Sequence, residues 1–82
     1  MITASQINDA VKCVEYYHFR GTTQTACCLT LQNGYSVVGT SSASHPDEFD
    51  INLGQKYARE DADGKVATLL AFVHRELREL AP

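Results

Sequence analysis

The hydrophobic positions of this chain of 82 residues form three patterns, of which the longest is an apolar stripe from Ile51 to Leu80. Its members recur at intervals of three, four or seven residues, which keeps them on one side of a helix. They are Ile51, Ala58, Ala62, Val66, Leu69, Val73, Leu77 and Leu80. A helix of about 30 residues is roughly 45 Å long, whereas a compact chain of this size is about 30 Å across. We therefore predict a long C-terminal helix that extends beyond its own domain and self-associates through the stripe.

The start and the middle of this helix carry separate signals. Asp50 is the expected N-cap, with Asp47 as the second candidate, because Asp side chains accept the free N–H groups of a first turn. The pair Asp63-Gly64 is typical of a turn, so two shorter helices broken near Gly64 are the alternative. We expect one continuous helix because the stripe keeps its phase across Gly64.

The second pattern lies in the first 20 residues. Thr3 followed by Gln6 has the spacing of a capping box. Apolar side chains then recur at helical intervals at Ile7, Ala10, Val11, Val14 and Tyr17. This spacing predicts an N-terminal amphipathic helix of about four turns, which ends before Gly21.

The third pattern, over residues 23–41, predicts two strands joined by Asn33-Gly34. This dipeptide is typical of a two-residue type I′ hairpin turn. Such a turn places Leu29 opposite Val38. The three patterns together predict an α+β fold in a single domain, residues 1–82: an N-terminal helix, an antiparallel hairpin or small sheet, and the long helix.

The length and the cysteine count limit the class of protein. A domain of this size gains only about 3–5 kcal/mol from its core, so additional stabilisation is expected. Three cysteines, Cys13, Cys27 and Cys28, make no even disulfide framework, which leaves oligomerisation, as a homodimer or a larger assembly. The chain shows no signal peptide and no apolar run long enough for a membrane span, and we expect a reducing cytoplasm.

The charge pattern argues against a nucleic-acid partner. The net charge is -3, and residues 46–82 hold five basic and eight acidic side chains. Many of these charges stand at i, i+4 spacing, as in Arg59/Asp63 and Arg75/Glu79, which pairs them on a solvated helix face. A protein that binds the nucleic-acid backbone would carry a clustered basic surface instead.

Signatures of enzymes, metal sites and cofactor sites are missing from the sequence. It contains no Gly-rich phosphate loop, no nucleophile elbow and no metal-ligand spacing. Its three histidines, His18, His45 and His74, fall on separate predicted elements. We therefore predict no catalytic residue, no metal and no cofactor, and interpret Cys27 and Cys28 as small buried side chains.

Two groups of residues have the chemistry of an anion site. Phe49 stands just before a helix N-terminus, where an aromatic ring stacks bases and free N–H groups bind phosphate. The alternative for Phe49 is a staple that packs on the hairpin. Arg75 and Arg78 would form an anion clamp if two subunits brought their copies together. Surface solubility is the alternative for both arginines.

Several features recur in a fixed order along the chain: the Asn33-Gly34 turn, a strand ending at Gly39, the Phe49-Asp50 pair, and Gly54 before the alanines of the long helix. In this order, over about residues 27–72, the chain resembles a family of small phage proteins. The family is catalogued under gene product forty-nine of one podovirus and gene product sixty-six of another. It is similar, more distantly, to the Thoeris anti-defence proteins, oligomers that trap cyclic nucleotide immune signals without cleaving them.

The resemblance implies a function and a set of ligand-binding residues. Phe49 would stack a base at a subunit boundary, Arg59 would lie near the same cleft, and Arg75 and Arg78 would meet phosphates. We expect a phage or prophage-encoded, non-enzymatic oligomer in the host cytoplasm that sequesters a small anionic nucleotide signal and so counters host defence. The alternative is a protein-binding inhibitor of a host or defence enzyme.

Overall fold

A three-stranded antiparallel sheet with one long helix across one face forms the body of the protein. The computed structural model describes residues 1–80. Its elements are, in chain order, α1 (Ala4–Ala10), β1 (Val11–His18), β2 (Gln24–Leu31), β3 (Ser36–Ser42), a 3-10 turn (Pro46–Glu48) and α2 (Ile51–Leu80). The strands lie in the order β1-β2-β3. This arrangement confirms the predicted α+β class, and of the two predicted forms, a hairpin or a small sheet, the protein has the small sheet.

The N-terminal helix begins as predicted but is much shorter. The Gln6 N–H donates to Thr3 Oγ1 at 3.2 Å, and the Thr3 N–H donates to Gln6 Oε1 at 2.7 Å, which completes the capping box. The helix ends at Ala10, and the predicted four turns are wrong: from Val11 the chain is a strand paired with β2. The β-branched and aromatic residues that follow favour a strand, and hydrogen bonds to β2 replace those that a local helix would make.

The predicted register of the β2–β3 hairpin is wrong by one residue. Val37 lies opposite Leu29, and Val38 lies opposite Cys28. A shift of one residue moves every side chain of a strand to the other face. Val37 therefore shares the helix-covered face with Leu29 and Leu31, and Val38 lies on the uncovered face.

The turn itself explains this shift. The Leu31 N–H donates to the Tyr35 carbonyl at 2.7 Å and the Gly34 N–H donates to the Leu31 carbonyl at 2.9 Å, which closes a loop of three residues. Gly34 has a φ of +90°, whereas Asn33 has no positive φ. A type I′ turn needs positive φ at both positions, and a three-residue loop needs it only at its last.

Helix α2 is a single element of 30 residues, as the unbroken phase of the stripe predicts. Asp50 is its N-cap: its Oδ1 accepts the Asn52 N–H at 2.8 Å. Gly64 lies within the helix, and apart from the helix's own nearby backbone no atom lies within 4 Å of where its Cβ would be. The turn signal of Asp63-Gly64 is thus overridden by the helix on either side of it.

The helix packs closely on β2 and β3 because the contact residues are small. Gly39 of β3 faces Ala58 and Ala62 of α2, and a Cβ on Gly39 would lie 2.8 Å from the Ala62 Cα. The buried core is correspondingly thin, and it consists of Cys27, Leu29, Leu31, Ala58, Ala62 and Val66. The stripe of α2 thus reaches the core through its middle.

The end of α2 extends beyond the sheet. Residues 71–80, which we call the C-terminal arm, are all exposed, including Phe72 at 64%, Leu77 at 60% and Leu80 at 79%. The molecule measures 57 × 21 × 17 Å. The predicted overhang is confirmed, and self-association through it stays a prediction. Among residues 1–80, no helix has both the length and the hydrophobicity that crossing a membrane requires.

Candidate functional site

Phe49 lies between the 3-10 turn and α2, where it packs against β1. Its ring stacks on the imidazole of His18, with centroids 4.7 Å apart and planes inclined by 22°. His18 is held in place by a hydrogen bond from its Nε2 to the Thr22 carbonyl at 2.7 Å. One face of Phe49 is therefore occupied by the protein itself. This contact joins the segment before α2 to β1. The alternative given by the sequence was a staple that joins this segment to the hairpin of β2 and β3.

A small pocket of about 110 Å³ adjoins Phe49. It is lined by Thr23, Ser41, Ser42, Ala43, Glu48, Phe49, Asp50, Leu53, Gly54 and Tyr57. The two carboxylates of this lining repel a phosphate, and Asp50 already accepts N–H groups of the first helical turn. The N–H groups that sequence reasoning assigned to an anion are thus bound by the chain's own cap.

Arg59 faces α1 and is engaged with protein groups. Its Nε donates to Asp63 Oδ1 at 2.8 Å, and its Nη2 donates to Asn8 Oδ1 at 3.3 Å. The hydrogen bond with Asp63, with a further contribution from Tyr16, raises the pKa of Arg59. Arg59 therefore ties α1 and β1 to α2, and its guanidinium is not directed at the Phe49 pocket.

Arg75 and Arg78 meet at a second, larger pocket on the C-terminal arm. This pocket has a volume of about 380 Å³ and is lined by Met1, Ile2, Ala71, His74, Arg75 and Arg78. Arg75 Nε also donates to Glu79 Oε1 at 3.2 Å. Because both members of that ion pair are largely exposed, the pair is weak and an anionic ligand can compete for Arg75.

The structure brings together only part of the predicted site. Arg75 and Arg78 share one pocket, and His74 joins them there. Phe49 and Arg75 are 26 positions apart along the chain, which places them roughly 39 Å apart along the axis of α2. One copy therefore cannot offer Phe49 and the two arginines to the same small ligand.

Two histidines in these contacts were missed at the sequence level. His18 falls in the segment before Gly21 where the N-terminal helix is predicted to end, and only the pairing of β1 with β2 places it beneath Phe49. His74 stands one position before Arg75, and the helical spacing from His74 to Arg78 is a signal that could have grouped them.

The cysteines are not arranged as a reactive or metal-binding group. Burial raises the pKa of the Cys27 thiol, which keeps it protonated. Cys28 lies next to it in β2 and so faces the other side of the sheet. Within residues 1–80, no three His, Cys, Asp or Glu side chains are grouped to hold a metal ion.

Comparisons with known proteins give one match. Neither the comparison with curated proteins nor the comparison with solved structures finds a match to this chain. A family model does match, over residues 2–77, and it covers both the sheet and most of α2. The chain therefore belongs to the Phage protein (N4 Gp49/phage Sf6 gene 66) family.

Proposed function

We propose that this phage protein is a non-enzymatic, homo-oligomeric binding protein that sequesters a small anionic nucleotide, such as a cyclic nucleotide immune signal, in the host cytoplasm. In this role it would counter a host defence that depends on the signal, as the resemblance to the Thoeris anti-defence proteins suggests. The ligand site would be the pocket of Arg75 and Arg78, with Phe49 and Arg59 in structural roles.

The observation that carries this proposal is the composition of that pocket. Two guanidinium groups and an imidazole line it together with the apolar side chains of Ile2 and Ala71. A guanidinium group can donate two parallel hydrogen bonds to the oxygens of one phosphate. An apolar surface accommodates a base. A cyclic nucleotide combines these two kinds of surface.

The exposed apolar side chains of the C-terminal arm support the oligomer. Phe72, Leu77 and Leu80 lie on the same ten residues as the two arginines. Single exposed apolar residues are common, but a contiguous group marks an interaction surface. Pairing of two arms through these side chains would cover them and leave the arginines, which project from the other side of α2, open to a ligand.

A thermal-shift experiment tests the ligand. A cyclic dinucleotide and cyclic ADP-ribose are added separately to the purified protein, and the melting temperature is recorded. We expect a concentration-dependent rise with at least one of them, because a ligand that binds only the folded state stabilises it. The ligand should be recovered intact after heat denaturation, because the protein traps it without turnover.

Two variants make the test specific. The double variant Arg75→Ala/Arg78→Ala should abolish the rise. Arg20→Ala removes a basic side chain from the β1–β2 loop, far from the arm, and should keep it. A rise that survives the double variant would place the ligand elsewhere, and a ligand returned in altered form would show that the protein is an enzyme.

A protein-binding inhibitor of a host or defence enzyme is the second candidate, and the arm favours it. An amphipathic helix with exposed apolar side chains can lie in a groove of another protein. If the nucleotides leave the melting temperature unchanged, this candidate takes precedence. Its test is inhibition of a purified defence enzyme by the wild-type protein and loss of that inhibition with Leu77→Glu.

A further inference from the structure

The two outer edges of the sheet differ in whether they are covered. The outer edge of β3 is covered by side chains of α2. The Thr40 N–H donates to Asp61 Oδ2 at 2.9 Å, and Lys65 Nζ donates to the Val38 carbonyl. Asp61 and Lys65 lie 4.0 Å apart as an i, i+4 pair. One ion pair on the helix thus satisfies a donor and an acceptor of β3, which prevents another strand from pairing there.

The outer edge of β1 has no such cover. The Phe19 N–H donates to the Gln24 carbonyl at 3.3 Å, and paired residues alternate along an antiparallel ladder. The backbone groups of Val14, Tyr16 and His18 therefore point away from β2. Within residues 1–80, no side chain makes a hydrogen bond to those groups.

Two side chains of β1 on the helix side, Val14 and Tyr16, are only partly covered. Because α2 packs on β2 and β3, Val14 is 38% exposed and Tyr16 is 41% exposed. Both lie on the face that buries Leu29 and Cys27, their partners in β2. Strand β1 thus offers unpaired backbone and apolar side chains along the same line.

We propose that β1 pairs antiparallel with β1 of a second copy of this chain. The result is a continuous six-stranded sheet with a two-fold axis normal to it, which places both α2 helices on one face. This interface is separate from the C-terminal arm, and it does not depend on the proposed ligand.

A second copy suits this edge better than an unrelated extended peptide. A peptide strand would satisfy the backbone of β1 but would cover Val14 and Tyr16 only if its own sequence placed apolar side chains beside them. A second copy brings the same two side chains to the same face, so that the four cover one another. Strand β1 holds one Lys and one Glu, so two copies carry no net repulsion.

The charges and an irregularity of β1 select the register. The ladder shifts between Val11 and Cys13, and such a bulge, with Lys12 in it, disfavours pairing at the start of the strand. A register centred on Glu15 would set two carboxylates opposite each other, which is destabilising. Among the other registers, the one centred on Tyr16 pairs all three outward-pointing residues, with Val14 opposite the partner's His18.

Cysteine cross-linking tests this register, in a Cys13→Ser background that removes the exposed native thiol. Paired Tyr16 positions would have Cα atoms about 5.5 Å apart, within the range of about 4.4–6.8 Å for a disulfide. We expect Tyr16→Cys to form a covalent dimer under mild oxidation. Val14→Cys is the matched control, because four residues of offset separate its two copies by about 13 Å. Efficient cross-linking of Val14→Cys with none for Tyr16→Cys would overturn the register.

Sedimentation separates this interface from the arm. The variant Leu77→Glu removes the arm's apolar contact without touching the core, and we expect it to remain dimeric through β1. Adding Val14→Pro deletes an outward N–H and should give a folded monomer, whereas adding Val14→Thr keeps that N–H and should leave the dimer. The proposal would be overturned if Leu77→Glu sedimented as a monomer. It would also be overturned if the double variant Leu77→Glu/Val14→Pro still sedimented with the mass of a dimer. Because no nucleotide enters the experiment, its result is independent of the sequestration hypothesis.

Discussion

Gly39 of β3 and Ala62 of α2 are in direct backbone contact, and this contact sets how closely the helix lies on the sheet. A Cβ on Gly39 would fall 2.8 Å from the Ala62 Cα and nearer still to its nitrogen. Cβ contacts of this kind do not occur, so the helix would have to move away. The thin core of this protein depends on a glycine whose absent side chain makes room for a helix backbone.

Substitution of this glycine should therefore be costly. We expect Gly39→Ala to lower the free energy of unfolding by about 1–3 kcal/mol or more, because the clash is with backbone that cannot rotate aside. Urea denaturation followed by circular dichroism measures the change. An unchanged midpoint would show that α2 does not press on β3 at this point.

Gly64 gives the matched control, because it is a glycine of the same chain with open space around it. Gly64→Ala should raise the free energy of unfolding by about 0.5–1 kcal/mol, since alanine is favoured over glycine inside a helix. The same denaturation experiment applies. A loss of stability would mean that the Asp63-Gly64 turn signal is used in solution and that α2 is not continuous there.

The two i, i+4 arginine pairs of α2 should differ in their contribution to stability. Arg59 is half-buried and bonded to both Asp63 and Asn8, whereas the Arg75–Glu79 pair lies on the exposed arm. We expect Arg59→Ala to cost about 1 kcal/mol and to accelerate amide hydrogen exchange in α1. Arg75→Ala should leave stability unchanged within error, because exposed pairs contribute little. Equal effects would contradict the tie between α1 and α2.

Cysteine alkylation should follow burial. Cys13 is exposed and Cys27 is buried, and burial raises the pKa of Cys27. In native protein we expect iodoacetamide to modify Cys13 first and Cys27 only after unfolding, as peptide mass spectrometry would show. Modification of Cys27 at the rate of Cys13 would contradict the packing of β2.

The same raised pKa predicts a pH dependence of stability. An unfolded thiol ionises near pH 8.5, whereas the folded Cys27 keeps its proton to higher pH. Its contribution to folding is complete below about pH 8.5 and is lost as the pH rises through the folded pKa. In urea denaturation, the free energy of unfolding of the wild type should therefore fall relative to that of Cys27→Ala as the pH rises above about 8.5. A constant difference would mean that Cys27 is solvated in the folded state.

Local signals predicted the elements whose determinants lie within a few residues of one another. The Thr3/Gln6 capping box, the Asp50 cap and the continuous stripe of α2 each depend on contacts inside one helix. The position of the hairpin turn was also readable, because only a glycine readily takes the positive φ found at Gly34.

Contacts between residues far apart in the sequence decided the conformation of the segment after Ala10 and the register of the β2–β3 hairpin. The spacing from Val11 to Tyr17 fits one face of a helix, yet pairing with β2 made this segment a strand. The turn takes a three-residue form, which shifts the register by one residue and places Val37 on the helix-covered face, against the core. Neither outcome has a marker inside the segment that it affects.

For the candidate site, the sequence by itself determined that Arg75 and Arg78 lie together, because helical spacing guarantees it. Only the tertiary structure decided that Phe49 stacks on His18, that Arg59 is bound by Asp63 and Asn8, and that β1 is left at an open edge. The physical reason is that the hydrogen bonds of a helix or of its cap join residues that are only a few positions apart in the sequence. The partners of Phe49, Arg59 and β1 are brought near only when the sheet and α2 pack together.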